Sequence, residues 1–353
     1  MFWKLFNNSK HELQSCETDD NFKAETDEEK NTNPERKIDP DYRMTIFLSL
    51  FNKSPRKKGE RFPGYVAYEL GIINVEQYFD ELRQRQLIEP ASEKDILSLL
   101  KVSELKTILV ENGLKKTGNK PVLIERILNE IDLSQIELLA EPYYSLSQKG
   151  IDFLVSHDDF IKIRQNSQWG IGIEEYLQMK EISNSDISFE NIILSLLNRK
   201  LLEIKKKRYS LSQYEYSRLH EIYISIYQLL QDKGEPQNAI KPLLSSLLLS
   251  VSGCENYWLI GYKRGLKLKN VEVLKSYVPI HIDEFVATYM IGLEDYYSKQ
   301  IASDVYHNFV GPFNLCTLEM FESIIQKVFS SAISPDLGEY DEIIKKDFIK
   351  KLK

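Results

Sequence analysis

The chain has 353 residues, 42% hydrophobic and 11% aromatic, and a net charge of -7. That length supports two or three domains with cores of their own, and the negative balance excludes a protein that coats nucleic acid by bulk charge, so any such contact must come from local basic patches. Cys16, Cys254 and Cys316 lie far apart and give neither a disulfide framework nor a metal-ligand spacing; a cytoplasmic, reducing setting is expected.

Residues 1–41 open with Met1-Phe2-Trp3-Lys4-Leu5-Phe6, too short for the apolar stretch of a signal peptide. From His11 to Asp41 eleven acids face four Lys or Arg, with almost no large apolar residue, so a disordered acidic tail is expected. Tyr42 to Asn52 predicts a helix. Lys53, Arg56, Lys57, Lys58 and Arg61 then form a basic turn, either solvated or a second patch for nucleic-acid backbone. Gly64 to Gly71 reads as a short helix. Asn74 caps the next one, which runs to about Gln86 with Val75, Phe79 and Leu82 inward. Leu87-Ile88-Glu89 reads as a short strand.

The densest signals lie between Asp95 and Ile131. Val102, Leu105, Ile108 and Leu109 recur at three- and four-residue spacing, one buried face of a helix. Gly113 ends that helix. The polar basic run from Leu114 to Lys120 follows, then Asn119 as a cap and Pro121 in the first turn of a second helix. That helix repeats the apolar pattern at Leu123, Ile124, Ile127 and Leu128. Lys115, Lys116 and Lys120 lie beside a helix N-terminus, whose free N–H groups and positive dipole end also attract phosphate. The same residues fit a solvated loop, with Arg126 pairing to Glu130 one turn on.

This segment closely resembles the SAP family, a small helix–loop–helix DNA-binding module. The residues that carry the resemblance include Leu99, Val102, Glu104, Leu105, Leu109, Gly113, Leu114, Gly118, Lys120 and the run Leu123-Ile124-x-Arg126-Ile127. The resemblance implies docking on duplex DNA, mostly on the backbone and often at A·T-rich grooves. The contacting residues would be Lys106, Lys115, Lys116, Thr117, Gly118, Asn119, Lys120 and Arg126. A SAP fold used on RNA or on protein is the alternative.

Tyr143 to Leu146 reads as a strand, followed by Leu146-Ser147-x-Lys149-Gly150-x-x-Phe153-Leu154. That pattern is similar to the wing strand and closing helix of bacterial winged-helix regulators. Together with the helices and strand before residue 90, it implies a winged helix over 42–182 with the SAP module (95–131) inserted in its wing, a tolerated place for an insertion. The candidate recognition helix from Asn74 to Gln86 carries Glu76, Asp80 and Glu81 beside Arg83 and Arg85, which argues for a scaffold or a dimer surface, with the basic turn at Lys53 to Arg61 left to meet the backbone.

Phe160 to Ile163 predicts a strand and Gly172 to Lys180 a helix. A polar break at Ser183 to Asp186 sets the expected boundary of an all-α domain, 183–353. Its helices are expected over 189–203, 211–231, 238–251, 271–277, 282–297 and 318–330, with a basic amphipathic end at 345–353. The pair from Arg218 to Gly253 resembles one tetratricopeptide-type hairpin. Lys205 to Arg208 reads as a solvated basic turn at a helix end, and Tyr257, Trp258 and Tyr262 as core.

No Gly-rich phosphate loop, Gly-x-Ser-x-Gly or His-Glu-x-x-His appears, and His157-Asp158-Asp159 reads as a surface turn. No apolar run approaches the roughly eighteen residues of a membrane span. The expectation is a mainly α, non-enzymatic DNA-binding protein without cofactor or metal, with a helical region for a protein partner or self-association. A protein-interaction scaffold that binds no nucleic acid is the alternative.

Overall fold

A computed structural model of the chain describes residues 38–183, 187–207, 212–254, 278–311, 314–331 and 335–352. Residues 1–37 of the expected disordered tail (1–41), the aromatics at 257–262 and the helix at 271–277 lie outside the described residues, as does Arg208 of the basic run; the last residues of that tail are ordered, Asp39 capping a helix that begins at Pro40. The described part is mainly α, with sixteen helices and three short strands.

The first layer contains α1 (Pro40–Leu48), β1 (Arg56–Lys57), α2 (Tyr65–Tyr68), α3 (Val75–Gln84) and β2 (Ile88–Pro90). Asp39 caps α1 by accepting the Tyr42 N–H at 2.8 Å, and Asn74 caps α3 by accepting that of Gln77 at 3.0 Å. Helix α3 stops before Gln86, which adopts the left-handed conformation (φ 61°). The N–H groups of Gln86 and Leu87 fold back on the carbonyls of Arg83 and Leu82, the hydrogen-bond pair that commonly closes a helix. Leu87 is thereby aimed into the core and the chain enters β2.

β3 (Tyr143–Leu146) pairs antiparallel with both β1 and β2, giving the order β1-β3-β2, with Pro90 opposite Tyr144. Residues 91–142 therefore leave and rejoin the sheet between two neighbouring strands. α7 (Gln148–Ser156) follows, and Ser147 secures it by donating its hydroxyl to the Gln86 carbonyl at 2.5 Å. Phe47, Phe79 and Leu82 are fully buried in the core of this layer, where the Phe79 ring packs against Phe47 and Tyr144.

The expected strand at Phe160 to Ile163 is instead part of helix α8 (Asp158–Gln165). Phe160 and Ile163 are both buried, and their three-residue spacing suits one helix face, while Asp158 and Asp159 favour a helix N-terminus. α9 (Ile173–Ile182), α10 (Phe189–Lys207), α11 (Gln213–Asp232) and α12 (Pro236–Val251) follow. Phe160, Ile163, Trp169 and Tyr176 belong to the same apolar core as the helices beyond residue 187, so that core spans the polar break at 183–186.

The single helix expected over 282–297 is broken. α13 (Glu284–Met290) ends before Gly292 (φ 83°), and a short 3-10 turn at Glu294–Tyr296 precedes α14 (Lys299–His307), a helix with no counterpart in the sequence reading. α15 (Leu318–Ser330) has the bounds its periodicity implies, and the basic end belongs to α16 (Gly338–Leu352). Among the described residues no helix is long and apolar enough to cross a membrane.

Candidate nucleic-acid interface

Residues 91–142 fold around a small core of their own. α4 (Glu93–Leu97), α5 (Val102–Glu111) and α6 (Lys120–Glu130) bury Leu97, Leu105, Leu109, Leu123, Ile124 and Ile127 against one another. The apolar spacing in the sequence is realised, except that Val102, in the first turn of α5, remains 39% exposed. The Lys101 N–H donates to Glu104 at 2.5 Å, which fixes the start of α5. Its end is closed at Gly113: the Gly113 and Leu114 N–H groups fold back on the carbonyls of Val110 and Leu109, and Leu114 packs onto the module core.

The loop from Lys115 to Asn119 is shaped by backbone groups rather than by ion pairs. Arg126, in the second turn of α6, donates from Nη1 to the carbonyls of Lys115 and of Thr117, the latter at 3.0 Å. The expected Arg126–Glu130 pair is not formed; the guanidinium reaches back to the loop, where two carbonyls need donors. Lys120 Nζ donates to the Ser98 carbonyl at 2.6 Å, where a cation also meets the negative end of α4. Asn119 Oδ1 accepts the Val122 N–H at 3.3 Å as the cap of α6. Gly118 takes φ 135°, and a Cβ there would lie 2.9 Å from the Val122 side chain. The loop thus folds close over the first turn of α6.

The basic residues divide accordingly. Lys115 and Lys116 are exposed, and among the described residues neither takes part in an ion pair. Thr117, Gly118 and Asn119 are exposed beside them, while Lys106 and Lys120 are partly buried. Lys120 and Arg126 do structural work as well as carrying charge.

The second basic turn differs. Arg56 pairs with Glu60 at 3.3 Å and donates from Nε to the Leu50 carbonyl at 2.9 Å. Lys57 pairs with Glu141 at 2.7 Å, which holds its ammonium above the usual lysine range. Lys58 pairs with Asp80 at 2.7 Å. Lys53 and Arg61 are exposed, and no ion pair involves them among the described residues. On α3 the cations also meet acids of the same helix, Arg85 with Glu81 at 2.8 Å and Arg83 with Asp80 at 3.9 Å.

His157-Asp158-Asp159 is a packing junction rather than an open turn. The imidazole stacks on Phe153 at 4.2 Å, and Asp159 accepts from Tyr176 at 2.7 Å and from Lys180 at 2.8 Å. Burial alone would raise the Asp159 carboxyl, but those two donors outweigh it and hold it below the usual range. No group of three or more His, Cys, Asp or Glu among the described residues could hold a metal ion.

Residues 96–132 match the SAP domain. SAP domains are DNA-binding modules in general, which is consistent with DNA binding by this chain. The match spans α5, the loop and α6 with the end of α4, roughly a tenth of the sequence. No curated protein and no solved structure matches the chain.

Proposed function

We propose that this protein binds duplex DNA without enzymatic action, through the loop between α5 and α6. The carrying observation is the exposure of Lys115 and Lys116 on a loop whose shape is fixed by Arg126, in a module of the SAP kind. Two unneutralised ammonium groups beside the positive end of α6 offer phosphate charge, although Pro121 has no N–H and Asn119 takes that of Val122. Contact of this sort positions a protein on the backbone without reading sequence. The N-terminal layer, read as a winged helix, carries the module on its sheet and serves as a scaffold; the pairing of Arg83 and Arg85 with acids on α3 supports that role. The helical region after residue 158 supplies the surface for a protein partner or a second copy.

With Lys115 and Lys116 each neutralising one phosphate, log affinity should fall with log salt at a slope of about -2, and of about -3 if Lys120 also contributes. Fluorescence anisotropy with a labelled duplex at low salt tests the proposal. The wild type should bind, and K115E/K116E should lose most of its affinity while keeping its helical circular dichroism. Equal binding by the two proteins would remove the loop from the interface. Absence of binding by the wild type would leave the protein-interaction scaffold, which the neutralised second turn also suits.

A further inference from the structure

A second cationic feature lies in the helical region, far along the chain from the module. Lys205 near the end of α10 and Lys241 on α12 line one cavity of about 40 Å³. Tyr223 of α11, Ser245 of α12 and Asn308 at the end of α14 bring hydroxyl and amide groups to it, and Leu248 and Val305 are among its apolar walls. The Lys205 ammonium is partly buried, 5.7 Å from the Tyr223 ring centre. Among the described residues neither lysine meets a carboxylate. Lys241 is exposed at the rim, whereas cations elsewhere in this region that are partly buried like Lys205 are paired: Lys200 with Glu175 at 2.8 Å, and Lys233 with Glu235 at 2.8 Å.

A partly buried ammonium beside a second, exposed one, with no carboxylate facing either among the described residues, favours an anion at the cavity. Burial first, and then the charge of Lys241, holds the Lys205 ammonium below its ordinary range. The cavity would hold a few heavy atoms, since one water needs only about 10–15 Å³ of such space. It is too small for a nucleotide and suits a single tetrahedral oxyanion.

We propose that Lys205, Lys241, Tyr223 and Ser245 form a site for a phosphate-type oxyanion, free or as the terminal group of a small molecule. The two ammonium groups supply charge and hydrogen bonds, and the Tyr223 hydroxyl lies beside them; Ser245, whose own hydroxyl donates to the Lys241 carbonyl at 2.9 Å, only lines the site. This site is independent of the DNA-binding loop.

Inorganic phosphate is the probe, titrated calorimetrically into the full-length protein at constant ionic strength against sodium chloride. The wild type should give saturable heat and broaden the 31P resonance of phosphate. K205M and K241M should each weaken binding at least tenfold, and S245A less. A 20-base-pair duplex distinguishes the source of the phosphate. If K241M leaves duplex affinity unchanged, the site takes a small molecule; if duplex and phosphate affinities fall together, it takes a backbone phosphate. Absence of saturable heat and of 31P broadening with the wild type would overturn the site whether or not the variants fold. Equal phosphate binding by wild type, K205M and K241M would do the same.

Discussion

At 53–61, Arg56, Lys57 and Lys58 each face a carboxylate, and only the flanking Lys53 and Arg61 are exposed without an ion pair among the described residues. At 115–120, the carbonyls rather than acids take up the donors, and they are taken up by Arg126 and Lys120, leaving Lys115 and Lys116 bare. A count of Lys and Arg does not separate the two. What separates them is whether the neighbouring elements supply acids: Glu141 and Asp80 stand beside the first stretch, while Ser98 and the loop's own backbone stand beside the second. Surface ion pairs of the first kind add little to stability, but they remove the charge that would draw phosphate.

The comparison breaks most readily by exchanging charges. K115E/K116E is expected to weaken duplex binding by roughly a hundredfold, taking about 1.4 kcal/mol for each reversed contact, whereas K57E/K58E should change it by less than about threefold. Anisotropy titrations of both variants in one buffer decide this, and a larger loss from the second pair would invert the assignment. Next in size, R126A should lower affinity about tenfold through the loop it positions, because two carbonyls lose a charged donor worth about 1.5–3 kcal/mol when desolvated and less at this partly exposed site. Amide hydrogen exchange at 115–119 should quicken in the same variant. Arg126 is a positioning residue, and R126K, which keeps the charge and one donor nitrogen of the kind both bonds use, should recover part of the loss.

The complementary experiment unmasks the quiet stretch. D80N/E141Q removes the partners of Lys58 and Lys57, so the slope of log affinity against log salt should steepen by up to about 2 if duplex can reach them. An unchanged slope would show that position on the molecule, and not pairing, keeps that stretch from DNA. G118A is expected to cost about 1–3 kcal/mol in thermal unfolding, since φ 135° and the 2.9 Å approach to Val122 both resist a side chain.

The smallest effect concerns a region apart from both stretches. Burial holds the His220 imidazole below its ordinary range, beside Ser246 at 2.9 Å. Its neutral form is favoured on folding, so its contribution to stability is present above about pH 6.5 and declines as pH falls toward the lowered value. H220Q should flatten that decline in urea titrations at pH 7.5 and 5.5, without altering duplex binding.

Much of the α5–loop–α6 unit was legible in the sequence, because its determinants are local. Apolar spacing, Gly113, Asn119 and Pro121 fix bounds that the structure reproduces closely. The apolar run at 160–163 was misread because four residues hold too little periodicity to tell strand from helix, whereas the acids before it mark a helix start. The helix expected over 282–297 failed at Gly292, a stop signal inside an otherwise apolar pattern. The site was only half legible. Pairs such as Lys57–Glu141, 84 residues apart, depend on the sheet, and the reach of Arg126 to Thr117 depends on how tightly the loop folds. The cavity between Lys205 and Lys241 has no local signature at all, since each lysine reads as an ordinary surface residue until four helices are packed.

The path of the chain at the sheet has one more implication. Pro90 and Tyr144 sit opposite each other, and the Ala91 N–H reaches the Tyr143 carbonyl at 2.9 Å. The departing and returning ends are therefore as near as the two arms of a hairpin, and to the strands everything from 92 to 141 is one long turn. Replacing it by Asn-Gly would leave the ladder its own register. The part that matches the SAP domain is in effect a detachable cassette, which selection could lengthen, shorten or exchange without reopening the fold that carries it.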